Sequence, residues 1–254
     1  MNIGLVPMSA KPYHLGHHML VELAALGALN KEIVFEAPKN DLVIVFVSYS
    51  SRGTKTSKGK EVVVPGETPV FGQDMRYIWE NLLIPNLAFP QNVLIRTPSD
   101  GIPNSPVAAV FEVINKIHKS KVDGEFEVNI PYTSIPVDPN DIVLTIYSDE
   151  DDAGSRFNDD YMRKIYSDSY GRTIKKYGVP RSKTVEISGT KMRNLLCKDD
   201  KNSFIKMLPP LPLDVSNEIY EVLSTSATKL CPRKDWQNVN EMMIRKIVRE
   251  FLWS

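Results

Sequence analysis

The chain of 254 residues carries 31 basic and 31 acidic side chains, a formal net charge of zero, with 42% hydrophobic and 24% charged residues. That balance excludes a global field drawing the chain to nucleic acid or an anionic membrane, and the length suits one folded core with a small appendage. No window approaches the ~18 uninterrupted apolar residues of a membrane span, and the start has no basic segment ahead of an apolar one. The expectation is an unprocessed cytoplasmic protein whose Cys197 and Cys231 stay thiols.

In chain order, Asn2 to Val6 reads as a short strand stopped at Pro7. Met19, Leu20, Leu23, Ala24, Leu26 and Gly27 follow helical spacing, which predicts a helix beginning close to Gly16. Residues 41–48, "DLVIVFVS", form the continuous β-branched and aromatic run of a strand buried on both faces of a parallel sheet. After it, "YSSRGTKTSKGKEVVVPGETPVFG" is polar, basic and too long for an ordinary βα connection, the mark of a functional or mobile loop. "QDMRYIWENLLIP" predicts a helix ended by Pro85, "NVLIR" a short strand, and "SPVAAVFEVINKIHK" a helix capped by Ser105 with Pro106 at its first position.

Residues 141–148, "DIVLTIYS", read as another buried strand. Such alternation argues for a doubly wound α/β fold with a mainly parallel, Rossmann-like sheet, whose ligands sit at the carboxyl ends of the strands. The loops after Val6, Ser48 and Tyr147 are therefore where chemistry is expected. From Pro209, "PPLPLDVSNEIYEVLSTSATKL" and "NVNEMMIRKIVREFLW" read as helices, giving an α/β domain over 1–208 and a helical appendage over 209–254.

Three of the four histidines, His14, His17 and His18, lie in "PYHLGHHM", between the first strand and the first helix. That junction is where α/β folds offer backbone N–H groups to phosphate, and Gly16 permits close approach of a ligand. Lys11 adds a further donor. The spacing of His14 and His17 also suits a metal pair, but no carboxylate-rich or thiol partner is near in the sequence. Ordinary turn histidines fit this stretch equally well when it is taken alone. A second stretch, "EISGTKMRNLL" over 186–196, places Ser188, Gly189 and Thr190 between a short strand, "KTVEI", and a helix start holding Lys191 and Arg193. Hydroxyls and free N–H groups there hold phosphate oxygens, with the Arg193 fork beside them.

"KPYHLGH" resembles the H-x-G-H signature, and "ISGTKMR" the I-S-x-T-x-x-R signature, of the nucleotidylyltransferase superfamily. That superfamily includes nicotinamide mononucleotide adenylyltransferases, phosphopantetheine adenylyltransferases and cytidylyltransferases. The order and separation of the motifs match over roughly the first four-fifths of the chain. The usual first motif is G-x-F-x-P-x-H-x-G-H; here Met8 and Ala10 replace the glycine and the aromatic, while Pro12, His14, Gly16 and His17 are kept. With the "SRGTKTSKGK" loop and a later "FIKMLPP", the chain looks most like nucleotidyltransferases of large bacteriophages.

The resemblance implies that His14 and His17, with Lys11, hold the nucleotide phosphates and stabilise charge on the transferring α-phosphate. Pro7, Met8 and Gly16 would line the nucleotide, and Ser188, Gly189, Thr190, Lys191 and Arg193 would grip the β and γ phosphates. Asp149 would serve as a base, ribose or metal-water contact and Arg156 as a phosphate contact. Independently of the resemblance, Arg52 and Lys55 on the polar loop after the second strand could close over the triphosphate or the acceptor, or be ordinary solvated loop residues. Mg²⁺ would bridge phosphate oxygens, with no protein ligand set for a metal. The partners implied are ATP, or CTP, and a small phosphorylated acceptor, with no nucleic acid and no membrane; a homo-oligomer stays open.

Alternatives are a cytidylyltransferase acting on a polyol or sugar phosphate, and a non-catalytic nucleotide-binding protein of the same fold. A class I aminoacyl-tRNA synthetase core shares the H-x-G-H turn, but 254 residues leave little room for its further domains. His18 is expected to face outward from the helix and His118 to lie on the surface. Glu150, Asp151 and Asp152 are read as a solvated loop, and Trp79, Trp236 and Trp253 as packing groups.

Overall fold

The computed structural model describes residues 1–27, 37–57, 60–64, 67–149, 156, 157, 160, 162, 166, 174–179 and 187–228. Most of "KTVEI", the segment 150–152 and everything beyond residue 228, including the helix expected in "NVNEMMIRKIVREFLW", lie outside them. The strands are β1 (Asn2–Met8), β2 (Leu42–Val47), β3 (Thr54–Ser57), β4 (Lys60–Val63), β5 (Val93–Arg96), β6 (Val128–Asn129), β7 (Pro136–Val137), β8 (Val143–Asp149) and β9 (Lys175–Val179). The helices are α1 (Leu15–Leu26), α2 (Gly72–Tyr77), α3 (Pro106–Val122), α4 (Gly189–Cys197), α5 (Lys201–Ile205) and α6 (Leu213–Thr228). α2 runs on through a π-helical stretch, Ile78–Leu83.

The central sheet has five strands in the order β5-β2-β1-β8-β9, every pairing parallel. Its period-two pattern divides the core. Val6, Met8, Val43, Val45 and Val47 pack on one face with residues of α1, the π-helical stretch and α6, while Ile3, Leu5, Ile44 and Phe46 pack on the other with α3. All six side chains of β2 are buried, each contributing roughly 1.5–3 kcal/mol of burial, so the strand has no polar face. The chain steps from β1 outward to β2 and β5, then returns to β8 and β9 on the other side of β1. The reversal between β1 and β8 is the topological switch point, where the crevice of such a sheet opens.

Several sequence expectations change. Pro7 does not end β1: the strand continues through Pro7↔Phe46 to Met8↔Val47 against β2. Pairing with β8 stops at Leu5↔Ile146, so a residue without an N–H is accommodated beyond the point where both neighbours bind. The long segment after β2 is not wholly irregular. It holds the antiparallel β3–β4 hairpin, closed at its base by an Arg52↔Val70 bridge. Gly53 at that base has φ +71°, and a Cβ there would stand 2.8 Å from Thr68 O, so the turn requires glycine. β9, "KKYGV", was not foreseen. Two lysines and a glycine conceal an edge strand only partly buried along most of its length.

The capped helix over 105–119 is as expected: Ser105 accepts from the Ala108 N–H at 3.3 Å and Pro106 opens α3. α6 packs Val215, Ile219, Tyr220, Leu223 and Ala227 into the core that holds Val6 and Met8. Cys197, expected as a thiol, is disulfide-bonded. Among the described residues no helix is long and apolar enough to cross a membrane.

Candidate functional site

A cleft of about 530 Å³ opens at the carboxyl ends of the strands. From the first motif it takes Pro7, Met8, Lys11, His14, Gly16 and His17, and from the second Ser188, Gly189, Thr190 and Arg193. Arg52 and Arg156 complete the set of expected residues that line it. Two others are placed elsewhere. Lys55 is exposed on β3, and Lys191 is exposed on α4, where its backbone N–H donates to Ser188 Oγ at 3.1 Å. Asp149 is the last residue of β8, opposite Val179 of β9. Ser50, Ser51, Ser148, Leu20 and Ile187 also line the cleft and were not singled out, although the loops after β2 and β8 had been marked as the place to look.

The first motif is built around the start of α1. His14 is its N-cap in extended conformation, and its carbonyl accepts both the His17 N–H at 2.9 Å and the His18 N–H at 3.1 Å. The Leu15 N–H goes to Met207 O at 2.9 Å, which ties the helix start to the segment after α5. A Cβ on Gly16 would lie 3.2 Å from two atoms of the His14 ring, so glycine lets that ring fold back over the helix. The rings of His14 and His17 stack at 3.7 Å with 26° between their planes.

These histidines are neutral at pH 7. Burial lowers His14 to about 4, and burial with the adjacent His14 holds His17 well below the ordinary imidazole value. The His14 backbone N–H donates to His17 Nδ1 at 3.3 Å, so a neutral His17 carries its proton on Nε2. His17 is therefore an N–H donor in the cleft wall rather than a cation. His14 Nδ1 is buried without a hydrogen-bond partner.

Positive charge comes from other groups. Lys11, almost wholly buried, donates from Nζ to Ser50 Oγ. Ser48 Oγ donates to Asn104 O at 2.9 Å, so the 2.7 Å contact between the two serine hydroxyls runs from Ser50 to Ser48. Burial, and secondarily Arg52, lowers the Lys11 amine to about 8. It remains mostly protonated at pH 7.

Ser188 caps α4 in the second motif. Arg193, one turn into that helix, is 5% exposed and donates from Nη1 to Lys11 O at 3.1 Å and from Nη2 to Thr190 Oγ1 at 3.0 Å. Glu67 Oε2 lies 3.8 Å from Nη2. Burial and Arg52 lower the Arg193 value and Glu67 opposes them; a guanidinium nonetheless stays charged in proteins. A Cβ on Gly189 would stand 3.0 Å from Lys11 O, so glycine is what lets the start of α4 approach the first motif.

Lys11, Arg52, Arg156 and Arg193 face one cleft that no described carboxylate lines. Among the described residues no group of three or more His, Cys, Asp or Glu is placed to hold a metal. The described donors suit phosphate oxygens. His18, expected to face outward, is buried at 5% exposure and stacks on Phe89 at 4.8 Å. His118 is partly buried, edge-on to Tyr166, and Trp79 is buried packing as expected. In comparisons with known proteins, the chain matches no family model, no curated protein and no solved structure.

Proposed function

We propose that this chain is a nucleotidylyltransferase that moves a nucleotidyl group, adenylyl in preference to cytidylyl, from a nucleoside triphosphate to a small phosphorylated acceptor. The observation that carries the reading is the hydrogen bond from Arg193 Nη1 to Lys11 O, 182 residues apart in sequence. It joins the two phosphate-type motifs across a cleft at the switch point, and the lining there is cationic with no described carboxylate.

An acceptor oxygen attacks the α-phosphorus in line. The bond from that phosphorus to the bridging oxygen breaks, and pyrophosphate leaves with the electron pair. Arg193, Thr190 and the start of α4 hold the β and γ phosphates, while Lys11 and Arg52 neutralise charge from the β2 side. His17 supplies a neutral Nε2–H to the oxygens on which charge grows, and it needs no reorganisation to do so. Most of the catalysis is positioning and electrostatics. Mg²⁺ enters bound to the triphosphate, whose charge it offsets.

The test is pyrophosphate release from ATP and from CTP with Mg²⁺, across a panel of phosphorylated acceptors. Release that depends on one acceptor, and falls about 10²–10³-fold in His17→Ala, supports the reading. Equal release by the variant overturns the role of His17. No release with any acceptor, while ATP still raises the melting temperature, favours a nucleotide-binding protein without transferase activity.

A further inference from the structure

His18 lies behind the His14–His17 pair, and its two ring nitrogens face different groups. Nδ1 is 3.2 Å from the Tyr13 hydroxyl and Nε2 is 3.6 Å from Glu22 Oε1, one helical turn further along α1. An ionised carboxylate only accepts, so the nitrogen facing Glu22 carries the proton and the one facing Tyr13 is bare. Burial lowers the His18 imidazole against the opposing pull of Glu22, and burial with Glu22 raises the Tyr13 phenol well above its ordinary value. The ring is then neutral and the phenol protonated at neutral pH. The polarity runs one way: Tyr13 O–H donates to His18 Nδ1, and His18 Nε2–H points toward Glu22.

Tyr13 carries this order to the cleft. Its ring faces His17 at 5.7 Å with 15° between planes and meets the Trp79 indole edge-on at 5.0 Å. The His17 ring thus lies near-parallel to two others, Tyr13 at 5.7 Å and His14 at 3.7 Å. These neighbours restrict rotation of the ring away from the His14 N–H that its Nδ1 accepts.

We propose that Tyr13, His18 and Glu22 form a positioning chain that fixes the His17 ring with Nδ1 on the His14 N–H and Nε2–H available to the cleft. The consequence for turnover rests on the transferase reading above; the consequence for the ring does not. Glu22 is partly exposed, with its side chain at 39%, so a substitution there disturbs the chain from outside the core.

The experiment is imidazole ¹⁵N NMR of the full chain without nucleotide, with signals assigned through His17→Asn and His18→Asn. The wild-type chain is expected to show the Nε2–H tautomer at both His17 and His18. Glu22→Lys removes the acceptor and is expected to turn His18 to the Nδ1–H tautomer. Tyr13→Phe keeps the ring and removes the hydroxyl, and is expected to give His17 a mixed tautomer signal. It should also lower kcat by about 5–10-fold with the nucleotide KM within about twofold, a split that simple loss of folded protein would not produce. An Nδ1–H signal for His17 in the wild-type chain overturns the proposal, as do unchanged His17 and His18 spectra in both variants. If Tyr13→Phe fails to fold, the His17 signal in Glu22→Lys decides: a shift toward a mixed tautomer supports the positioning chain, and a signal identical to wild type overturns it. Spectra that change as expected, in a chain that releases no pyrophosphate with any acceptor, leave the positioning chain standing and remove the transferase reading.

Discussion

Replacing Lys11 with Met should stabilise the fold while weakening nucleotide binding. The amine is almost wholly buried, its hydrogen bond goes to a neutral hydroxyl, and the nearest named charge is another cation, Arg52. Its fall from 10.5 to about 8 corresponds to about 3 kcal/mol against the charged form, at roughly 1.4 kcal/mol per pH unit. Water in the open cleft screens part of this, so about 1–2 kcal/mol is the expected gain in Lys11→Met. For a chain of this size that is a rise of about 3–6 °C in melting temperature.

The pH dependence identifies the cause. With the folded value below the unfolded one, the unfolded chain binds the extra proton between pH 8 and 10.5, so wild-type stability rises with pH through that window. The full deficit is present below pH 8, and the advantage of the variant should shrink as pH approaches 10.5. Differential scanning calorimetry at pH 7 and pH 10 measures both quantities. Titration calorimetry with ATP should show a loss of about 10-fold or more, the worth of one charge-assisted hydrogen bond. A variant less stable than wild type at pH 7, or a difference that does not change with pH, would refute the burial argument. Unaltered ATP affinity would take Lys11 out of the anion site.

Further outcomes follow from the same geometry. Arg193→Ala should cost ATP affinity about 10²-fold and also lower the melting temperature, because Lys11 O and Thr190 Oγ1 both lose their donor; unchanged ATP affinity in a folded variant would exclude the guanidinium from the site. Gly189→Ala should push the start of α4 from the Lys11 carbonyl, 3.0 Å from the added Cβ, and destabilise by about 1–2 kcal/mol; a neutral urea midpoint would show that the two motifs have slack between them. On acidification, His14 is protonated in the unfolded chain below 6.5 but in the fold only near 4, so stability should fall from pH 6.5 down to about 4. At pH 4.5 that amounts to about 2–3 kcal/mol, by which the fall in urea midpoint should shrink in His14→Ala, the share of His17 remaining.

What the sequence made legible is mostly what is local. The H-x-G-H turn and the Ser188 cap each lie within one turn of chain: the first follows β1 at the start of α1, and Ser188 caps α4. β2 announced itself because burial on two faces leaves an unbroken apolar run. The β3–β4 hairpin did not, since an exposed ribbon of "TKTS" against "KEVV" need bury neither face and carries no strong period. His18 was misread for a related reason. One helix face was taken as solvent, whereas His18, Val21, Leu23, Ala24 and Ala25 are all buried and the apolar surface of α1 reaches well around the helix. The approach of Arg193 to Lys11 has no local signal; only the resemblance to a two-motif family pointed to it.

The arrangement separates two jobs that a cluster of charged histidines would combine. Lys11 stays largely protonated at pH 7 and lines the cleft with Arg52, Arg156 and Arg193, while burial keeps His14 and His17 neutral. A neutral donor aimed at a phosphate oxygen gains as charge accumulates there, yet holds the ground-state anion less tightly than a cation would. On the proposed transferase reading, the cations bear on KM and the imidazoles on kcat. As pH rises through about 8, loss of the Lys11 proton should raise KM before it changes kcat, because His17 has no proton to lose in that range.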